Sequence, residues 1–245
     1  MSGSAEHHEI ALVTGANKGI GFQVASELGK AGMTVYVGAR DISRGEEAAK
    51  ALHAKGCDAR FVQLDLADSA SVERAAAVIR AEQGRLDVLV NNAGITTPGD
   101  GTPGEADLAA VRRTFDTNFF DTVMVTQKML PLLRQSKAGR VVNVSSGLGS
   151  LTLNSDPDFP YSGLRILGYQ ASKAALNMFT VLLAKELRDA GILVNSVDPG
   201  YTATDLNDNR GHQTVEEGSR ETVRLALAPE GVTGRFFDKD GSRPW

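Results

Sequence analysis

The chain has 245 residues, 42% of them hydrophobic and 23% charged, which is enough apolar material for one layered domain and gives no compositional case for disorder. Its formal net charge of −4 and the lack of any basic run argue against a nucleic-acid partner, because phosphate backbones are bound by clustered cations. No stretch approaches the roughly 18 uninterrupted apolar residues of a membrane span, so no membrane partner is expected.

Residues 1–9 lack the basic start and apolar run of a signal peptide. They read as a flexible leader with His7 and His8 solvated, on a protein that stays in the cytoplasm. Residues 10–245 read as a single dinucleotide-binding and catalytic domain, undivided by any linker or repeat. Apolar runs with the look of buried strands recur at Ile10–Thr14, Thr34–Ala39, 59–64, 86–91, 140–145 and Leu193–Val197. Between and after them lie segments with helical spacing, at Gly19–Lys30, 44–55, 69–81, 107–133, 168–190 and 216–227. The alternation predicts an α/β fold, a doubly wound parallel sheet with helices on both faces. The one cysteine, Cys57, has no Cys or His neighbour at metal-ligand spacing, so no metal is expected and the residue suits a reducing cytosol.

Ligands of such sheets bind outside the carboxyl ends of the strands, so the residues after each strand carry the argument. The first strand runs from Thr14 into Gly15, Ala16, Asn17, Lys18, Gly19, Ile20 and Gly21, and then into a helix. Glycines in that order allow a tight turn, close approach of the backbone to a pyrophosphate and close packing of the helix. The helix adds free N–H groups and a partial positive charge. A glycine cluster alone equally marks a structural turn; strand, glycines and helix together point to a dinucleotide.

The second strand ends Gly38, Ala39, Arg40. An arginine there suits a ribose 2′-phosphate, and Lys18 supplies a second cation facing the same region, so NADP(H) is the expected cofactor. Asp41 competes with that reading, since it could pair with Arg40 or reach the ribose itself. After the third strand, Asp65 with Leu66 reads either as the adenine edge of the site or as the cap or turn that starts the next helix. Asn91, Asn92, Ala93 and Gly94, after the fourth strand, are expected under the adenosine.

Among the tyrosines only Tyr169 is followed four positions on by a lysine, Lys173; at that distance Tyr36 and Tyr161 meet Arg40 and Arg165, and Tyr201 meets Asp205. Positions four apart share one helical face. A free tyrosine titrates near 10, and Lys173 together with the positive nicotinamide of an oxidised cofactor is expected to bring it toward working pH by stabilising the phenolate. The fifth strand places Ser145 and Ser146 at the edge where a carbonyl could be held, with Ser146 the better placed. Neither has a His and acid partner, so hydrolase chemistry is unsupported. Asn118, within an otherwise apolar helix, reads either as solvated or as a residue that bends the helix or holds a water.

Taken together, the glycine turn, Asp65, the Asn-Asn-Ala-Gly run, Asn118, Ser146, the Tyr169 and Lys173 pair and the turn at Asp198, Pro199 and Gly200 resemble the short-chain dehydrogenase/reductase family over nearly the whole chain. The resemblance implies a Rossmann-type fold and a catalytic tetrad. In it Tyr169 protonates the carbonyl oxygen, Ser146 orients it, Lys173 binds the nicotinamide ribose and tunes Tyr169, and Asn118 holds a relay water. It also implies that Pro199, Gly200, Thr202 and Thr204 secure the nicotinamide amide. Asn17 with Lys18, the run 39–41, the run 118–120 and the ending from Gly234 to Trp245 are similar to the NADPH-dependent carbonyl reductases.

The function implied is NADPH-dependent reduction of a ketone or aldehyde to an alcohol, with a small-molecule carbonyl or alcohol as partner. The alternatives are an alcohol dehydrogenase of the same family working oxidatively, and a non-catalytic NADP(H) sensor, against which the intact Ser146, Tyr169 and Lys173 argue. Between Ser146 and Tyr169 the chain carries about ten residues more than the commoner members, beside the helices that build oligomers, which leaves monomer and homo-oligomer both open. Segments 95–106, 147–165 and 201–218 are expected to wall the pocket, the last as a lid carrying a solvated His212.

Overall fold

Ile10 and Leu12 turn to one side of the first strand and Ala11 and Val13 to the other, and all four are buried. A strand apolar on both faces needs cover on both, which is the condition for helices above and below a parallel sheet. The computed structural model describes residues 8–228 and 231–245. Most of the expected leader, His7 included, thus lies outside the described residues. His8 and Glu9 lie within them: His8 Nδ1 is 2.9 Å from the Gly32 carbonyl, and the Glu9 carboxylate accepts a bond from the buried Arg140 at 2.7 Å.

The elements follow as β1 (Ile10–Thr14), α1 (Gly19–Lys30), β2 (Thr34–Ala39), α2 (Ile42–His53), β3 (Ala59–Gln63), α3 (Ser69–Gln83) and β4 (Val88–Asn91). Then come α4 (Leu108–Phe115), a π turn (Asp116–Phe120), α5 (Asp121–Leu133), β5 (Arg140–Val144), α6 (Leu151–Ser155), α7 (Leu167–Glu186), β6 (Leu193–Val197), α8 (Val215–Leu227), β7 (Phe236–Asp238) and β8 (Gly241–Arg243). The sheet order is β3-β2-β1-β4-β5-β6-β7-β8, parallel throughout except for the antiparallel β7–β8 pair. Helices α1, α2 and α8 cover one face; α3, α5 and α7 cover the other. The chain is therefore the doubly wound single domain expected, and its order reverses between β1 and β4, opening a crevice at their carboxyl ends.

Several boundaries differ from the expected ones for local reasons. Helix α2 starts at Ile42 because the Asp41 carboxylate accepts the Arg44 N–H at 2.9 Å and caps it. Helix α3 runs to Gln83, where Gly84 closes it in the left-handed region at φ 71°. The single helix expected over 107–133 is interrupted by the π turn, with Asn118 inside it. A π turn is a common device where a helix bends beside a site. The irregular stretch after β5 holds a 3-10 turn (Gly147–Gly149) and α6. Strands β7 and β8 were not expected. Each is only three residues long, too short to show a periodicity, and they are fixed by packing, with Trp245 stacked on Phe236 at 5.5 Å between ring centres.

Candidate active site

The turn after β1 is shaped by its neighbours as well as by its own glycines. Gly15 takes φ 64°, and a Cβ on Gly21 would collide with the Asn92 side chain and the Gly15 carbonyl. Asn92 holds this turn in place: its Nδ2 donates to the Thr14 carbonyl at 2.9 Å, and the N–H groups of Asn92 and Ala93 donate to Thr14 Oγ1 at 3.0 Å. Helices α2, α3, α4 and α8 have side-chain caps, from Asp41, Asp68, Asp107 and Thr214. Helix α1 has none, so its first N–H groups point into the crevice without side-chain partners.

Arg40 lies exposed at the end of β2, and no bond to its guanidinium is made among the described residues. Asp41 neither pairs with it nor turns toward the crevice, since its carboxylate is the α2 cap. Lys18, expected to face the same region as Arg40, pairs with Asp205. Beside them an open groove of about 520 Å³ is lined by Asn17, Lys18, Phe22, Arg44, Ala48 and Asp205, so Arg44, not singled out from the sequence, belongs to this end of the site.

Asp65 does not cap α3; Asp68 does, accepting from Ala70 N–H at 2.9 Å. Asp65 instead makes a turn of its own, accepting from Ala67 N–H at 3.2 Å, while its N–H donates to Ser71 Oγ at 3.0 Å. Leu66 packs on the core. Asn91 is buried and donates to Thr126 and Asn143, a sheet-locking role. Gly94 lies at the other end of the crevice from Asp65: a Cβ there would stand 3.4 Å from both Asn118 Oδ1 and Lys173 Nζ. That places Gly94 beside the Asn118 and Lys173 side chains.

Ser146 stands close enough to Tyr169 for its hydroxyl to favour the phenolate, and Lys173 Nζ lies 5.8 Å from the Tyr169 ring centre. Ser146 is half-buried at the crevice, whereas Ser145 is buried with its hydroxyl 3.4 Å from the Lys173 carbonyl, so burial separates the two serines. Lys173 donates to the Val144 carbonyl at 2.8 Å, and burial brings its ammonium down to about 8. Burial, with the Asp198 carboxylate second, pushes Tyr169 up to about 12 against the opposing Ser146 bond. Desolvation disfavours the phenolate, the charged form of the side chain.

Asn118 is buried, not solvated. Its Oδ1 accepts the Ile95 N–H at 2.8 Å and its Nδ2 donates to the Ile95 carbonyl at 3.0 Å and to Ser172 Oγ at 3.1 Å. Ser172 in turn donates to the Tyr169 carbonyl at 2.8 Å, locking the first turn of α7. The side chain of Asn118 is thus occupied with backbone and Ser172, and it fixes the loop after β4 against the helix of Tyr169. Ser172 and Asp100, which accepts the N–H groups of Gly168 and Tyr169, escaped the sequence reading because nothing local marks them.

The segment after β6 lies over the glycine turn. Thr204 Cγ2 would stand 3.6 Å from a Cβ on Gly19, and Thr202 is buried, its hydroxyl donating to the Pro199 carbonyl at 3.1 Å. The expected lid at 201–218 ends in the first turn of α8, so the segment free of regular helix is shorter than expected. An aromatic row joins this segment to the loop before α7, Phe159 to Tyr161 to Tyr201 to His212, with ring centres 5.5, 6.1 and 5.9 Å apart. His212 is exposed.

With this arrangement established, likeness to known proteins becomes informative. A family model described as short chain dehydrogenase matches residues 9–215. The short-chain dehydrogenase anuI of Penicillium roqueforti is 34% identical over 241 residues, covering 95% of each chain. Carbonyl reductase (NADPH) 3 of Rattus norvegicus is 36% identical over 260 residues, covering 91% of this chain and 92% of that one. The solved NADPH-bound carbonyl reductase from chicken fatty liver superposes with a TM-score of 0.84 at 28% identity, covering 97% and 99%. The crevice, the uncapped α1 and the Ser146, Tyr169 and Lys173 group therefore stand on a chain that belongs to the short chain dehydrogenase family.

Proposed function

We propose that this protein is an NADPH-dependent reductase that converts a ketone or aldehyde into an alcohol, with Tyr169 as the proton donor. The observation that carries the reading is the buried Lys173 ammonium, 5.8 Å from the Tyr169 ring centre and bonded to the Val144 carbonyl at the end of β5, just before Ser146. Similarity to carbonyl reductases named for NADPH supports the cofactor.

The residues present fit a dinucleotide. The N-terminus of α1 has no side-chain cap, which leaves its first N–H groups to a phosphate, and the exposed Arg40 suits a 2′-phosphate. Gly15, Asn17, Gly19, Ile20, Asn92 and Ala93 would border the pyrophosphate and adenosine, with Asp65 and Leu66 at the adenine edge. Lys173, Gly94, Pro199, Gly200, Thr202 and Thr204 would border the nicotinamide end. Bound NADPH supplies the hydride.

Ser146 holds the carbonyl oxygen and Tyr169 Oη gives it a proton as charge develops there. Lys173 stabilises the phenolate left behind, and Asn118 keeps the loop after β4 and the first turn of α7 in register. Similarity to reductases named for NADPH favours the reductive direction. NADPH oxidation against a panel of ketones and aldehydes tests the activity. Tyr169→Phe should bind NADPH and turn over nothing; undiminished turnover would remove Tyr169 from the mechanism.

A further inference from the structure

Ser146 and Tyr169 come from different segments, and the mechanism above requires a fixed distance between their hydroxyls. A single side chain, Asn154 on α6, spans the two segments. Its Nδ2 donates to the Leu148 carbonyl at 2.9 Å and to the Ser150 carbonyl at 2.7 Å, and its Oδ1 accepts a bond from Gln170 Nε2 at 2.8 Å. Leu148 is two residues after Ser146, and its N–H donates to Ser146 Oγ at 3.2 Å. Gln170 directly follows Tyr169, and its Oε1 accepts the Ile166 N–H at 2.7 Å where α7 begins. One amide thus grips the turn of Ser146 at one end and the helix of Tyr169 at the other.

These bonds leave neither amide a choice of orientation. Two carbonyls face Asn154 Nδ2, so only an NH2 group can stand there, and that turns the Asn154 oxygen toward α7. The Ile166 N–H faces Gln170 Oε1, so the Gln170 NH2 group turns toward Asn154. The segment that carries Asn154 is itself held on both sides. Ser150 Oγ caps α6 by accepting the Leu153 N–H at 3.1 Å and donates to the Pro244 carbonyl at 2.9 Å, and the Thr152 N–H donates to the Trp245 carbonyl at 3.0 Å. Asn177 Nδ2 on α7 donates to the Gly149 carbonyl at 3.3 Å, and a Cβ on Gly149 would stand 2.7 Å from Lys173. The turn after Ser146 therefore lies directly on α7, with side-chain bonds from Gln170 and Asn177 fixing it there.

We propose that Asn154 is a positioning residue of the reaction: through Leu148 on one side and Gln170 on the other it sets the separation of the Ser146 and Tyr169 hydroxyls. The proposal rests on Ser146 and Tyr169 being the groups that hold and protonate the carbonyl oxygen. One substrate oxygen has to lie within hydrogen-bond reach of both hydroxyls, about 2.6–3.2 Å from each, so a slip of one segment against the other is felt at the reacting atom. The glycine turn and Arg40 lie on other elements and take no part in the bridge. Asn154 therefore acts on the rate of transfer and leaves NADPH binding alone.

The test is Asn154→Leu in the full chain, with Gln170→Glu beside it. Leucine is close to asparagine in size and makes none of the three bonds, whereas glutamate keeps the acceptor for the Ile166 N–H and loses the donor to Asn154. Rates are measured with the fastest carbonyl of the panel and counted per NADPH-binding site, so that unfolded molecules do not enter. In each variant kcat should fall by more than about threefold and by up to about a hundredfold, the scale of a displacement of about 1 Å at reacting groups, with KM and the NADPH dissociation constant within about threefold of the parent. The double variant should lie within about threefold of the slower single one, because both changes break one link. A kcat per site within about threefold of the parent in either variant, a loss carried by KM or by NADPH binding, or a double variant slower than that limit overturns the proposal. Should Asn154→Leu fail to fold, Gln170→Glu carries the comparison of kcat with KM. A Tyr169→Phe protein that still reduces carbonyls would overturn the proposed function instead, whatever Asn154→Leu does.

Discussion

Asp100 and Tyr169 are 69 positions apart, and the carboxylate of the first caps the helix that begins beside the second. Asp100 Oδ2 accepts the Tyr169 N–H at 2.8 Å and Oδ1 accepts the Gly168 N–H at 2.6 Å. Ile166, at the helix start, offers no side-chain cap, so the loop after β4 supplies the cap from outside. Asp100→Ala is expected to cost about 1–2 kcal/mol of stability, as a lost N-cap does. It should lower kcat more than it raises KM, because the backbone under Tyr169 loses its anchor. Thermal unfolding and steady-state rates check this; a stability loss with unchanged kcat would show that the cap has no bearing on catalysis.

Arg40 is exposed and free of Asp41, which makes the cofactor prediction sharp. Arg40→Ala should weaken NADPH binding by about tenfold or more, the worth of a charge-assisted bond to phosphate, and leave NADH nearly unchanged. Direct titration of both nucleotides decides it. Equal losses would move the 2′-phosphate away from this residue.

Lys18 and Asp205 pair across the mouth of the crevice, both more than half exposed. Salt screens such a pair, and it contributes little to folding. Its expected effect is on binding, because Asp205 occupies the cation that a cofactor phosphate would use. Asp205→Asn should leave the melting temperature unchanged and tighten NADPH several-fold at low salt, with the gain fading at high salt. Weaker NADPH binding in this variant would show that the pair helps to close the site.

Lys173 is only 4% exposed, and burial holds its ammonium at about 8 instead of 10.5. Below about 8 the folded and unfolded chains both carry the proton, and the folded state bears the desolvation. Between about 8 and 10.5 the unfolded chain binds more protons, so this group makes stability rise with pH across that window. Lys173→Met is therefore expected to be inactive and more stable at neutral pH, by up to about 3 kcal/mol, with the gain shrinking as pH approaches 10. Tyr169 has the opposite sign: its folded value of about 12 lies above 10, so its contribution falls as pH rises between those values. Denaturant unfolding of Lys173→Met at two pH values tests the first of these.

Much of the site was legible because it lies within short local patterns. Thr14 to Gly21 reads as a strand, turn and helix start, and Tyr169 with Lys173 reads as one face of a helix, patterns that gain meaning from their order along the chain and the family they resemble. The π turn at Asn118 did not, because the residue's partners, Ile95 and Ser172, are brought to it by other elements. The same holds for Lys18, whose partner Asp205 lies 187 positions away. Asp41 shows the reverse case. It was weighed against Arg40 and the ribose, yet an acidic residue just before a helical run is also an N-cap signal, and that local role is the one it takes.

By itself the sequence determined the doubly wound sheet, the glycine turn and the Ser146, Tyr169 and Lys173 group, because apolar periodicity and short spacings are properties of the chain read in order. Only the tertiary structure decided the burial and the supports: the desolvation of Lys173, Asn118 on Ile95 and Ser172, Asp100 as the cap of α7, and Asp205 on Lys18. The reason is physical. Desolvation and charge act through space, and the groups that set them come from elements far apart in the chain.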